Sequence, residues 1–122
     1  MLNIYLFNSI VRGIYMGLLQ LTKDNFDKTI KDATTPVFVD FWAPWCGPCK
    51  MLGPIFEEAS QALDGKVECA KVCVDDESEL AKKYSVMSIP TIVIFKGGKE
   101  VDRSVGFVDL DQILELAKKH GV

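Results

Sequence analysis

Along the 122-residue chain, apolar and polar positions settle into regular spacings after residue 17. Leu18-Leu19-Gln20-Leu21 reads as a short strand. Thr22 is placed to cap a helix from Lys23 to about Lys31, with Phe26 and Ile30 sharing a face at i,i+4 spacing. Thr34-Thr35-Pro36 breaks that pattern, and Val37 to Trp42 follows as an almost unbroken apolar run. Such a run is expected of a central strand covered on both faces. Pro48 suits the first position of a helix, where a missing N–H is harmless. Leu52, Ile55, Phe56, Ala59, Ala62 and Leu63 then fall on one helical face. Gly53-Pro54 would ordinarily stop a helix, but the apolar period continues through it in phase, which predicts a kink. Gly65 closes the element.

The second half continues in the same manner. Val67 to Val74 alternates as a strand, and Asp76 with Glu79 has the spacing of a capping box for a short helix ending near Tyr84. Val86 to Pro90 leads into a strand over Thr91 to Phe95, Gly97-Gly98 signals a hairpin, and Lys99 to Val105 is its return strand. Asp109 and Gln112 cap a last helix whose Leu110, Ile113, Leu114 and Ala117 form one stripe. The order β-α-β-α-β-α-β-β-α predicts an α/β fold, with a central mixed sheet of about five strands flanked by four helices.

Residues 1–17 do not share this regularity. They are mostly apolar and carry a single charge, Arg12, which follows the apolar run instead of preceding it as in a secretory signal. Asn3, Asn8 and Arg12 interrupt a stretch already short for a membrane span. The favoured reading is an upstream extension or a start misassigned ahead of Met16. A membrane-associating or export segment and an added structured element are the alternatives. Residues 18–122 are then one domain, and 48% hydrophobic with 25% charged residues suits a single globular core. The net charge of −3 and pI of about 5.1, with no basic cluster, exclude a nucleic-acid partner.

Chemistry concentrates at Cys46-Gly47-Pro48-Cys49, where a strand turns into a helix. Two cysteines spanning one tight turn can be bridged without moving the backbone. The unpaired N–H groups and partial positive charge of a helix start favour a thiolate at the first of them. Cys46 is therefore the expected exposed nucleophile, and Cys49, one turn inside, the more buried resolving thiol. With Cys69 and Cys73 the pair superficially resembles a four-cysteine metal pattern. However, residues four apart on a strand are roughly 13 Å from each other, too far for one ion or one disulfide. No metal site is expected, and Cys69 and Cys73 read as packing residues. Asp40 is the most anomalous charge, because it interrupts an apolar strand where an unpaired carboxylate tends to keep its proton. His120, the only histidine, reads as a solvated helix end.

Trp42-Ala43-Pro44-Trp45-Cys46-Gly47-Pro48-Cys49-Lys50 resembles the active-site segment of the thioredoxin family, and the likeness runs from about Leu18 to Ala117. The resemblance implies the thioredoxin fold and reduction of protein disulfides by dithiol–disulfide exchange, with Cys46 attacking and Cys49 resolving. It further implies that Asp40 moves a proton to and from the second cysteine, with Lys71 as its neighbour. Ile89-Pro90-Thr91 matches the family's cis-proline loop. A client surface is implied at Trp45, Gly47, Pro48, Ile89, Pro90, Val105 and Gly106. Pro44 stands at a position that is often acidic in the family, and Ser88 where some relatives have glycine. The family also implies no bound cofactor, electrons from NADPH through a flavoprotein thioredoxin reductase, disulfide-containing client proteins, a monomer, a cytoplasmic location and no membrane association.

Two other classes stay open. A tethered or exported thiol oxidoreductase would require residues 1–17 to be functional. A binding module using the Trp45/Ile89/Pro90/Gly106 surface would need no chemistry at Cys46.

Overall fold

The structure, a computed structural model, describes residues 18–122; the extension expected at residues 1–17 lies outside the described residues. The elements are β1 (Leu19–Gln20), α1 (Phe26–Asp32), β2 (Val37–Trp42), α2 (Gly47–Ala62), β3 (Glu68–Cys73), α3 (Ser78–Lys83), β4 (Thr91–Lys96), β5 (Lys99–Val105) and α4 (Leu110–Lys119). The five strands form one sheet in the order β1-β3-β2-β4-β5. β1 and β2 both run parallel to β3, while β4 is antiparallel to β2 and to β5, so the sheet is mixed as expected.

β2 sits at the centre, and its first five residues are buried. The alternation of its side chains divides the core in two. Phe38 packs with Ile92, Ile94, Leu52, Phe56, Ile113 and Ala117, beneath α2 and α4. On the opposite face Val39 and Phe41 pack with Phe26, Ile30, Leu80 and Phe95, beneath α1 and α3. Three rings close this second cluster: Phe26, Tyr84 and Phe95 have centroids 5.2 to 5.6 Å apart.

Local chemistry explains where the elements differ from the sequence reading. The first helix starts at Phe26, and Thr22 does not cap it. Thr22 and Asn25 instead close a turn on themselves: Thr22 N–H donates to Asn25 Oδ1 at 2.7 Å, and Asp24 N–H donates to Thr22 Oγ1 at 3.2 Å. The Asp76/Glu79 capping box is also absent, because the chain stays in a turn through Glu77, with Asp76 and Glu77 N–H groups both donating to the Cys73 carbonyl. Glu77 Oε1 accepts from Lys23 N–H at 3.0 Å, which ties the two turns together. By contrast, the Asp109/Gln112 box forms with both reciprocal bonds at 2.9 Å.

α2 runs through Pro54 as one continuous helix, its buried Cys49, Leu52, Phe56 and Ala59 holding it to the sheet. It ends at Ala62, and Gly65 supplies a positive φ of 81° in the turn beyond. Gly97 and Gly98 both have positive φ, as the two-residue hairpin between β4 and β5 requires. His120 corrects another expectation. Its Nε2 lies 2.9 Å from Asp102 Oδ2, and its side chain is only 14% exposed, because α4 lays its last turn against the hairpin instead of ending in water.

Candidate active site

The cysteine pair sits where β2 ends and α2 begins. Cys46 is the N-cap residue, in extended conformation, and Pro48 lies in the first turn. Cys46 and Cys49 are joined by a disulfide with their Cα atoms 5.2 Å apart. The Cys49 N–H, one of the helix's unpaired donors, points at Cys46 Sγ at 3.2 Å. When the disulfide opens, the same donor and the helix dipole stabilise negative charge on that sulfur.

One sequence expectation changes here. Cys46 and Cys49 are buried almost equally, at 5% and 4% exposure. In the disulfide form Cys46 packs with Ala43, Trp42, Val74 and Ile89. What distinguishes the two cysteines is therefore position relative to the helix, not exposure. Cys46 Sγ lies 3.8 Å from the Ile89 carbonyl oxygen, which brings the loop before β4 directly to the sulfur.

That loop has the expected cis Ile89-Pro90 peptide. It is held by the buried Thr91, whose Oγ1 donates to the Ser88 carbonyl at 2.6 Å, and by Gly106 N–H donating to the Pro90 carbonyl at 2.8 Å. The second bond binds the end of β5 to the loop. Gly106 has φ of 95° and open space where a Cβ would stand, so the backbone is bare at this point.

Exposed apolar side chains flank the cysteine pair and the Gly106 turn in the sequence. Trp45 is 67% exposed, and Val105 is exposed beside Gly106. Sequence reading passed over three further exposed apolar residues, Met51, Met87 and Phe107. Met87 and Phe107 adjoin in sequence the Ile89-Pro90 loop and Gly106, and that adjacency was the available signal. It also missed Asp75, whose Oδ2 accepts a 2.9 Å hydrogen bond from Trp45 Nε1.

Asp40 is fully buried on the α2 side of the sheet, and neither carboxylate oxygen has a hydrogen-bond partner among the described residues. Burial pushes its pKa up from 3.8 to about 7, and the positive charge of Lys71 opposes part of that rise. Lys71 is the register partner of Asp40 on β3. Cys69 and Cys73 lie two positions to either side of Lys71, and both are free thiols. Burial and the neighbouring Glu68 push Cys69 up to about 12, so it resists ionisation and acts as packing. Among the described residues no group of three or more His, Cys, Asp or Glu side chains is placed to hold a metal ion. No helix among them is long and apolar enough to cross a membrane.

A helix-capped cysteine pair at disulfide distance fits dithiol–disulfide exchange, since it can alternate between bridged and open forms with little backbone movement. Comparison with known proteins agrees with this chemistry. The thioredoxin family model matches residues 17–119. The chain is 44% identical over 101 residues to thioredoxin 1 of a Nostoc species, covering 83% of this chain and 94% of that protein. It is 44% identical over 105 residues to the thioredoxin of Staphylococcus haemolyticus, and 42% identical over 105 residues to that of Staphylococcus aureus. Each of those two matches covers 86% of this chain and 99% of the relative. With its sheet order, its helix-capped cysteine pair and these matches, the chain belongs to the thioredoxin family of protein-disulfide oxidoreductases.

Proposed function

We propose that this chain works as a reductant of protein disulfides, with Cys46 as nucleophile and Cys49 as resolving thiol. The observation that carries the proposal is the Cys49 N–H aimed at Cys46 Sγ from the start of α2, which favours the thiolate at Cys46. The Cys46 thiolate attacks one sulfur of a client disulfide; a Cys46–client bond forms, and the client's other sulfur leaves as a thiolate that takes a proton from water. Cys49 then gives its proton to the Asp40 carboxylate and attacks Cys46 Sγ. The mixed disulfide breaks, the second client thiolate leaves, and the Cys46–Cys49 disulfide forms. Two electrons pass to the client.

An Asp40 pKa of about 7 suits this step, because a group that titrates near neutrality can both accept and return a proton. Lys71 sets that poise by opposing the effect of burial. Trp45, Gly47, Pro48, Ile89, Pro90, Val105 and Gly106 form the surface on which an extended client segment lies. The bare backbone at Gly106 lets that segment approach.

In this reading the disulfide is reduced again by a flavoprotein thioredoxin reductase drawing on NADPH. The chain serves electron transport and redox homeostasis in the cytoplasm as a monomer, with residues 18–122 as the working domain and residues 1–17 an appended segment. The test is thiol trapping. Cys49→Ser should accumulate mixed disulfides with clients through Cys46, whereas Cys46→Ser should accumulate none. Trapping through Cys49 alone would reverse the two assignments.

A further inference from the structure

Asp40 and Lys71 stand opposite each other across β2 and β3, yet no ion pair joins them. The Lys71 ammonium lies instead 4.6 Å from the centroid of the Trp42 ring. It is also 4.0 Å from where a Cβ would stand on Gly53, so it is close to both the indole and the backbone of α2. A lysine ammonium is a strongly hydrated charge on a flexible stem, and by default it reaches for water. Here the side chain is half-buried. An indole face is the best aromatic partner for such a cation, and the attraction grows as water is excluded.

We propose that Trp42 is a positioning residue: its indole holds the Lys71 ammonium at the buried face of the sheet, where that charge acts on Asp40. Among the described residues, the groups that face Asp40 leave Lys71 as the charge acting on it. From β3 it meets Lys71, and its register partner on β4 is Ile92. The residues that α2 and α4 bring to this face are Leu52, Phe56, Ile113 and Ala117, all apolar, with Cys49 held in the disulfide. Among the described residues Lys71 is correspondingly the charged group that offsets the burial of Asp40. Without the indole the ammonium moves out to water, and Asp40 holds its proton more tightly. The consequence for exchange chemistry rests on the proposed role of Asp40 in proton transfer; the positioning itself does not.

The experiment follows the Asp40 carboxyl carbon by NMR against pH in the disulfide form. Trp42→Leu and Lys71→Met should each raise the Asp40 midpoint by about one pH unit, as expected for losing one nearby charge at a partly screened site. Trp42→Phe keeps an aromatic face and should hold the midpoint near that of the unaltered protein. Adding Trp42→Leu to Lys71→Met should produce no further rise. A Trp42→Leu midpoint that does not move, or a full additional shift in the double variant, overturns the proposal. Should Trp42→Leu fail to fold, the unaltered protein still decides. Lys71 Hε protons held over an indole must resonate upfield of the other lysines, and an ordinary lysine position refutes the contact. Client reduction by Asp40→Asn, measured separately, tests the proton-transfer role. An unchanged rate there removes that role while leaving the positioning result intact.

Discussion

Trp45 Nε1 donates a 2.9 Å hydrogen bond to Asp75 Oδ2, so the residue just before Cys46 is tied to the turn after β3. Trp45 is otherwise 67% exposed, and this bond is what gives a large apolar side chain a defined place at the rim. Asp75→Ala should free the ring. With Trp42 replaced by Phe so that Trp45 alone emits, its fluorescence anisotropy should fall. Thermal stability should change by less than about 1 kcal/mol, because the bond is exposed. KM for a protein disulfide should rise more than kcat falls.

The pH dependence of stability carries the signature of Asp40. Its folded pKa, about 7, exceeds the unfolded value of 3.8, so between these limits the native state holds a proton that the unfolded state has released. Asp40 is neutral in both states only below about pH 3. Its burden on stability then grows as pH rises and levels off above about pH 7, reaching about 4 kcal/mol. Asp40→Asn should remove that slope. Denaturant melts of the disulfide form should show the variant gaining most at pH 8 and nothing from this source below about pH 3, while client reduction slows.

The four cysteines should react in a defined order once the disulfide is reduced. Cys46, with the helix-start N–H aimed at its sulfur, should be alkylated first at neutral pH. Cys69, buried and pushed up to about 12, should be silent in the native protein and react only after unfolding. Peptide mass spectrometry after brief iodoacetamide exposure reads this order directly. Early labelling of Cys69 would contradict its place in the core.

The end of α4 is clasped to the β4–β5 hairpin by Asp102. Its Oδ2 lies 2.9 Å from His120 Nε2 and 3.2 Å from Lys119 Nζ, and Lys96 Nζ donates to the His120 carbonyl at 3.0 Å. The hydrogen bond from His120, more than the other contacts, holds the Asp102 carboxyl below its usual range. A depressed carboxylate stabilises the fold above its unfolded pKa, and that contribution is lost as acid protonates it in the native state. His120→Ala should lower stability by less than about 1 kcal/mol at neutral pH, with the difference shrinking in strong acid. Amide hydrogen exchange should quicken at His120 to Val122 first.

The legible parts of this fold were those written as runs and periods. Val37 to Trp42 reads as a buried central strand because the run is short, rich in β-branched and aromatic residues and preceded by Pro36, and the structure buries its first five residues. The phase of Leu52, Phe56 and Ala59 carried α2 through Pro54 for the same reason. Caps were less legible, because their donors and acceptors have competing partners. Asp109 and Gln112 found each other, whereas the start of α3 was settled by a turn that Glu77 shares with Lys23, fifty-four positions away.

The sequence by itself determined the order of elements, the placing of two cysteines across a helix start, and the anomaly of a carboxylate within an apolar strand. These depend on neighbours along the chain, where spacing and side-chain chemistry suffice. Tertiary structure alone decided that Cys46 and Cys49 are equally covered, that Lys71 turns toward the Trp42 ring, that Asp75 secures Trp45 and that His120 closes on Asp102. Each of these is a choice among partners brought together by strand register and helix packing. The energies that separate such choices come from burial and dielectric, which exist only once the chain has folded.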